Sequence, residues 1–119
     1  MMTATTQLAA QWHDVCGLDD LVNNSGVCAL IGEQQIAIFS LTIKGEQQIY
    51  AISNWDPVGK ANVLYRGLLG SIGDEIVVAS PLYKEHYSLV TGRCLERDDV
   101  SVLAYKVKRD GDRIFVAVE

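Results

Sequence analysis

The sequence predicts an all-β protein, a sandwich or small barrel of short strands. Three observations lead there. Short apolar runs recur along the whole chain, each bounded by Gly, Pro, Asn or Asp. Near the end the alternation is plain, with Val102, Ala104 and Lys106 set for one face and Leu103, Tyr105 and Val107 for the other. No stretch shows the spacing of a long amphipathic helix.

The elements follow in order. Residues 11–16, 26–31, 35–42 and 48–53 form a first group of strands, and residues 67–71, 75–80, 86–89, 102–108 and 112–118 a second. Leu18 to Leu21 reads as one helical turn with Asp19 near its start. Gly45-Glu46, Gly73-Asp74 and Thr91-Gly92 mark turns. Asp110-Gly111 separates two alternating runs and is a strong signal for a type I′ hairpin turn, which needs positive φ at both central residues. Residues 1–10, rich in Thr, Ala and Gln, read as a flexible tail, and residues 11–119 as a single domain without repeat or linker.

Composition narrows the function. A chain of 119 residues with 49% hydrophobic content can bury one core without metal or disulfide staples. A net charge of −5 and a pI of about 4.9 argue against nucleic acid and anionic membrane surfaces, whose binding rests on clustered Lys and Arg. The same charge gives no help in collecting a free anion. Three cysteines, no signal-peptide pattern and no membrane-length apolar run point to free thiols in a reducing cytoplasm.

Two loops launched from apolar strands carry the most information. Ser53-Asn54-Trp55-Asp56-Pro57-Val58 follows Ile49-Tyr50-Ala51-Ile52, and Ser80-Pro81-Leu82-Tyr83-Lys84 follows Ile76-Val77-Val78-Ala79. They resemble the cluster-binding loops of Rieske [2Fe–2S] domains. By that resemblance Asp56 and Val58 stand where the first Cys and His would be, and Ser80 and Tyr83 where the second pair would be. The cluster irons need thiolate sulfur and imidazole nitrogen. Valine has no lone pair to offer, serine is a poor ligand at neutral pH, and aspartate is a hard oxygen donor. The resemblance therefore implies a Rieske-like fold, a β-sandwich with a small three-stranded subdomain over residues 54–91, without its metal.

From about Trp12 to the C-terminus the chain is similar to one family, the small subunits of assimilatory NAD(P)H-dependent nitrite reductase. The markers are Trp12-His13-Asp14-Val15-Cys16, Gly26-Val27-Cys28-Ala29-Leu30, Ala51-Ile52-Ser53-Asn54 with Asp56-Pro57, Leu64-Tyr65-Arg66-Gly67-Leu68, and Ala79-Ser80-Pro81-Leu82. The resemblance implies a large-subunit partner that holds FAD, a [4Fe–4S] cluster and siroheme. It implies that this chain carries no cofactor and docks, stabilises or orients that partner rather than catalysing nitrite reduction itself. Two other classes stay open: an independent Rieske-type electron carrier, and a binding module that uses the vacated tip as a small-ligand pocket.

Other residues read more plainly. His86 falls beyond the ligand position and reads as a strand or surface histidine, as does His13 beside Trp12. Cys16, Cys28 and Cys94 lack metal-site spacing, and the first two read as small core residues. Asp19-Asp20 and Asp98-Asp99 read as solvated turn residues. Gly67, Gly70 and Gly73 precede no helix and make no phosphate loop. Arg66 is open to a scaffold or an interface role. Asp56 has two readings, a loop cap bonding nearby backbone N–H groups or a partner contact. Trp55, Val58 and Tyr83 are expected to close part of the gap between the loops. Trp55, Asp56, Pro57, Tyr83 and Lys84 are the candidate partner interface.

Overall fold

Residues 36–41 are buried without a break, and a β-strand can be buried at every position only if both its faces are covered. A computed structural model of the chain, which describes residues 11–118, shows what covers them. The expected tail, residues 1–10, lies outside the described residues, as does Glu119. Among the described residues the strands are β1 (Gln11–Gly17), β2 (Ser25–Ile31), β3 (Gln34–Ile43), β4 (Glu46–Ser53), β5 (Trp55–Asp56), β6 (Ala61–Asn62), β7 (Leu68–Ile72), β8 (Glu75–Ala79), β9 (His86–Ser88), β10 (Ala104–Tyr105), β11 (Val107–Asp110) and β12 (Arg113–Val118). Single 3₁₀ turns cover Leu18–Asp20 and Leu64–Arg66.

A four-stranded antiparallel sheet, β10-β4-β3-β2, forms the middle layer. One face turns Ile36, Ile38 and Ala51 toward Val116 and Val118 of the β1-β12-β11 sheet. The other turns Ala37, Phe39, Leu41 and Ile52 toward Leu64, Val78, Tyr87, Leu89 and Cys94. The last of these belong to the β7-β8-β9 sheet and the segments beside it. Each fully buried aliphatic side chain contributes about 1.5–3 kcal/mol. The two cores back to back on β3 and β4 thus tie the small sheet to the large one.

The expected strand 102–108 is broken. Ala104 and Tyr105 pair with Ile52 and Ala51 of β4, and from Val107 the chain pairs with β12 instead. Lys106 lies at the crossing, where its carbonyl accepts the Ala117 N–H at 3.0 Å. Alternation survives the switch at Tyr105 and Val107, which both pack on the core shared with the β1-β12-β11 sheet, whereas Leu103 is 65% exposed. The last hairpin also differs from expectation. Asp110 pairs with Arg113, so the turn is Gly111-Asp112, and of its two residues only Gly111 has positive φ, at 60°. A type I′ turn would require both. Cys28, expected in the core, is exposed, while Cys94 is fully buried.

Gly67 sets how closely the small sheet meets the loop before it. A Cβ there would lie 2.3 Å from the Ala79 carbonyl oxygen and 2.5 Å from Val78 Cγ2. The same addition at Gly70 meets nothing within 4 Å. Gly67→Ala is therefore expected to cost about 1–3 kcal/mol, as overpacked cores do, and to lower the urea midpoint. Gly70→Ala, measured alongside, is expected to leave it almost unchanged.

Candidate functional site: two loops joined by a carboxylate

Asn54 fixes where the first loop starts. It is fully buried at the end of β4, and its backbone N–H donates to the Gln35 carbonyl at 2.9 Å. Its Oδ1 accepts the Tyr65 N–H at 2.8 Å and its Nδ2 donates to Gln35 Oε1 at 3.1 Å. One polar side chain thus pins the middle sheet to the Leu64–Arg66 turn. The sequence hinted at this only by placing an asparagine directly after a strand that the fold buries.

From Asn54 the chain makes a short ladder, β5 with β6, around the turn that holds Pro57, Val58 and Gly59. Asp56 is fully buried beneath it. Its Oδ1 accepts the Val58 and Gly59 N–H groups at 3.0 and 3.1 Å, and the Tyr87 hydroxyl at 3.0 Å. Its Oδ2 accepts the Ser80 hydroxyl of the second loop. Ser80 Oγ in turn accepts the Leu82 N–H at 3.2 Å. The carboxylate therefore caps its own loop, joins it to the other, and ties both to β9. Burial alone pushes the Asp56 carboxyl up, but hydrogen bonds from Ser80, Gly59, Val58 and Tyr87 outweigh it and hold the group below the usual carboxylate range. Burial, the Asp56 charge and the bond to it push the Tyr87 phenol far up, so it remains a donor.

The other candidate residues are not gathered at one point. Tyr83 was expected to close the gap between the loops, yet it is 65% exposed. The space is bridged by Asp56, Ser80 and Tyr87 instead, because a buried carboxylate needs donors and finds them there. Trp55, next to Asp56 in β5, points to the opposite side of the strand. It lines a cavity of about 350 Å³ with Ser53, Asn62, Leu103 and Tyr105. Pro57 and Val58 are half-buried, and Pro81, Leu82 and Lys84 are exposed. Leu82 reaches across to the first loop, where a Cβ on Gly59 would lie 2.6 Å from its Cδ1.

Several other ionisable groups have structural partners. His86 Nδ1 lies 2.7 Å from Glu96 Oε2, and its backbone N–H donates to Glu96 Oε1. Burial raises the Glu96 carboxyl, but those bonds from His86 bring it below its usual range. Arg66 Nε donates to the hydroxyl of its neighbour Tyr65 at 2.9 Å. Burial raises the thiol pKa of all three cysteines, which keeps them protonated and poor as ligands or nucleophiles. Among the described residues no three His, Cys, Asp or Glu side chains are placed to hold a metal ion.

A small sheet packed on a larger sandwich, with two proline-bearing loops meeting at its end, defines a class. Residues 11–117 match the family described as the Rieske-like [2Fe-2S] domain, and the chain belongs to that family. It is 43% identical over 103 residues to the nitrite reductase (NADH) small subunit of Escherichia coli (strain K12), covering 86% of this chain and 94% of that one. The solution structure of the nitrite reductase [NAD(P)H] small subunit from Erwinia carotovora superimposes with a TM-score of 0.75 at 42% identity, over 91% of this chain and 82% of that one. A nitrite reductase [NAD(P)H] large subunit from Klebsiella oxytoca contains a stretch 40% identical over 105 residues, 88% of this chain and 11% of that one. Within the Rieske-like family, the chain belongs to the nitrite reductase small subunits.

The residues present do not fit the cluster in the family's description. Such a cluster is held by two thiolates and two imidazoles. At Asp56, Val58, Ser80 and Tyr83, the positions the loop resemblance assigns to those ligands, the chain offers a carboxylate with both oxygens hydrogen-bonded, an isopropyl group, a hydroxyl and an outward-facing phenol.

Asp56→Ala would leave the buried Ser80 and Tyr87 hydroxyls without their acceptor. It is expected to cost about 3 kcal/mol, read by urea unfolding, whereas Tyr83→Ala should change stability by less than about 0.5 kcal/mol. Acid titration gives a second check. Asp56 binds its proton more weakly in the folded than in the unfolded chain, so its contribution is complete above the usual Asp range near pH 4. That contribution is lost as pH falls through the lower folded value. In Asp56→Asn this acid-dependent part of the stability curve is expected to disappear.

Proposed function

We propose that this chain serves the nitrite reductase complex as a docking subunit that stabilises or orients the large subunit, and that it performs no redox step itself. The observation that carries the reading is the Asp56 bridge. The loop pair keeps its shape through hydrogen bonds to a carboxylate, so the tip is preserved as a surface after the chemistry that would need metal ligands is gone. The Klebsiella oxytoca large subunit supports the partner assignment, since a domain like this one is there part of the large subunit's own chain.

Nitrite reduction to ammonia is a multi-electron reaction. The redox groups it needs, FAD, a [4Fe–4S] cluster and siroheme, are assigned to the large subunit by the family resemblance. Residues 11–119 act as one domain, and the loop region within residues 54–91 meets the partner. Pro57, Tyr83 and Lys84 lie on the docking face, Trp55 flanks it, and Asp56 acts from beneath by holding the loops together. A cytoplasmic setting suits the three free thiols, and among the described residues no helix is long and apolar enough to cross a membrane.

Two outcomes are expected. The purified chain, incubated with iron and sulfide under reducing conditions and then desalted, is expected to stay colourless and to hold no stoichiometric iron. A retained iron signal would overturn the cofactor-free assignment. The Leu82→Ala/Tyr83→Ala variant, which removes exposed apolar area from the tip, is expected to fold normally and to bind the purified large subunit at least about tenfold more weakly, a loss of about 1.4 kcal/mol. Unchanged binding would place the interface elsewhere.

A further inference from the structure

The two loops are built to one pattern, and each ends on a lysine in an unfavourable backbone conformation. In Asp56-Pro57-Val58-Gly59-Lys60 the fifth N–H donates to the first carbonyl at 2.7 Å, and in Ser80-Pro81-Leu82-Tyr83-Lys84 it does so at 3.1 Å. Lys60 has φ 56° and Lys84 φ 63°. Glycine takes this left-handed conformation freely and asparagine takes it at small cost, but a long side chain gains nothing from it. Lys44 takes the same conformation, φ 52°, in the plain β3–β4 hairpin, so what points to a role for Lys60 and Lys84 is their placement at equivalent ends of the two joined loops.

The charge around these lysines supports that role. Both are exposed, and among the described residues neither takes part in an ion pair. Asp56 is the one acidic residue in the two loops, and it is buried with its oxygens engaged. The exposed surface of the loops therefore carries two cations and no anion, on a chain of net charge −5. The rest of that surface is apolar: Pro57, Val58, Pro81, Leu82 and the ring of Tyr83. An acidic body with a cationic end repels extended polyanions but orients toward a local acidic patch.

We propose that Lys60 and Lys84 make the joined loops a cationic face that docks on an acidic, apolar-centred patch of the nitrite reductase large subunit. This rests on the docking reading above and gives the sign of the partner's charge. Lys60 enters the interface on this argument.

The test measures the dissociation constant between the purified large subunit and this chain by calorimetry at low and high salt. The wild-type complex is expected to weaken as salt rises. Lys60→Glu/Lys84→Glu is expected to bind at least about tenfold more weakly at low salt, equivalent to about 1.4 kcal/mol, and to lose most of its salt dependence. Lys60→Gly/Lys84→Gly relieves the backbone, so its melting temperature should be no lower than wild type. It should still bind more weakly, which separates charge from folding. If both lysine variants bind like wild type while Leu82→Ala/Tyr83→Ala binds weakly, the charge inference is overturned and tip docking stands. If all three bind like wild type, tip docking fails and the charge inference with it. Tighter binding of the Glu variant would mean a basic partner surface and would also overturn the inference.

Discussion

The buried carboxylate of Asp56 is the interaction on which the shape of this molecule's tip depends. Two loops leave different sheets, and without a link each would be held only at its own base. Asp56 meets two backbone N–H groups of its own loop, a hydroxyl of the other loop and a hydroxyl from β9. An ionised group this deeply buried is tolerated only where donors surround it. Here the donors come from separate segments, so satisfying the charge and joining the loops are one event. The carboxylate also explains why Ser80 is buried and why the Tyr87 ring, the largest fully buried side chain, carries its hydroxyl inward.

Beneath the tip, β3 and β4 transmit position. Their alternate residues face opposite cores, so the small sheet and the terminal sheet are registered against the same backbone. Asn54 extends this control from the end of β4 to the first loop, and Gly67 allows the small sheet to approach the Leu64–Arg66 turn. A partner that meets the loops therefore meets a surface whose placement is set by the middle sheet.

Most of the strands were legible because their apolar runs are bounded by turn residues. β3 and β4 appear where expected, and so does the Gly73-Asp74 turn. Turns elsewhere are displaced by one residue. Lys44-Gly45 replaces Gly45-Glu46 and Gly111-Asp112 replaces Asp110-Gly111, because strand pairing decides which residues close the hairpin. The break at Lys106 was not legible, since a chain that changes sheets keeps its alternation. At the site, the two proline-bearing loops could be read from the sequence, and the cap by Asp56, which the structure shows, was one of its two readings. The bond from Ser80 and the bond from Tyr87 could not be read, for they join residues 24 and 31 positions away from Asp56. Aromatic bulk suggested that Tyr83 would fill the gap, but pairing a buried charge outweighed filling volume.

The first and last described strands lie side by side, with Gln11 opposite Val118. The polypeptide therefore enters and leaves this fold at almost the same point. A unit of that kind is portable: it can be spliced into a longer chain through two adjacent joints without disturbing its interior. The same architecture can thus be synthesised as a separate polypeptide or carried covalently by its partner. The choice between them becomes a matter of gene arrangement and local concentration, with no refolding required.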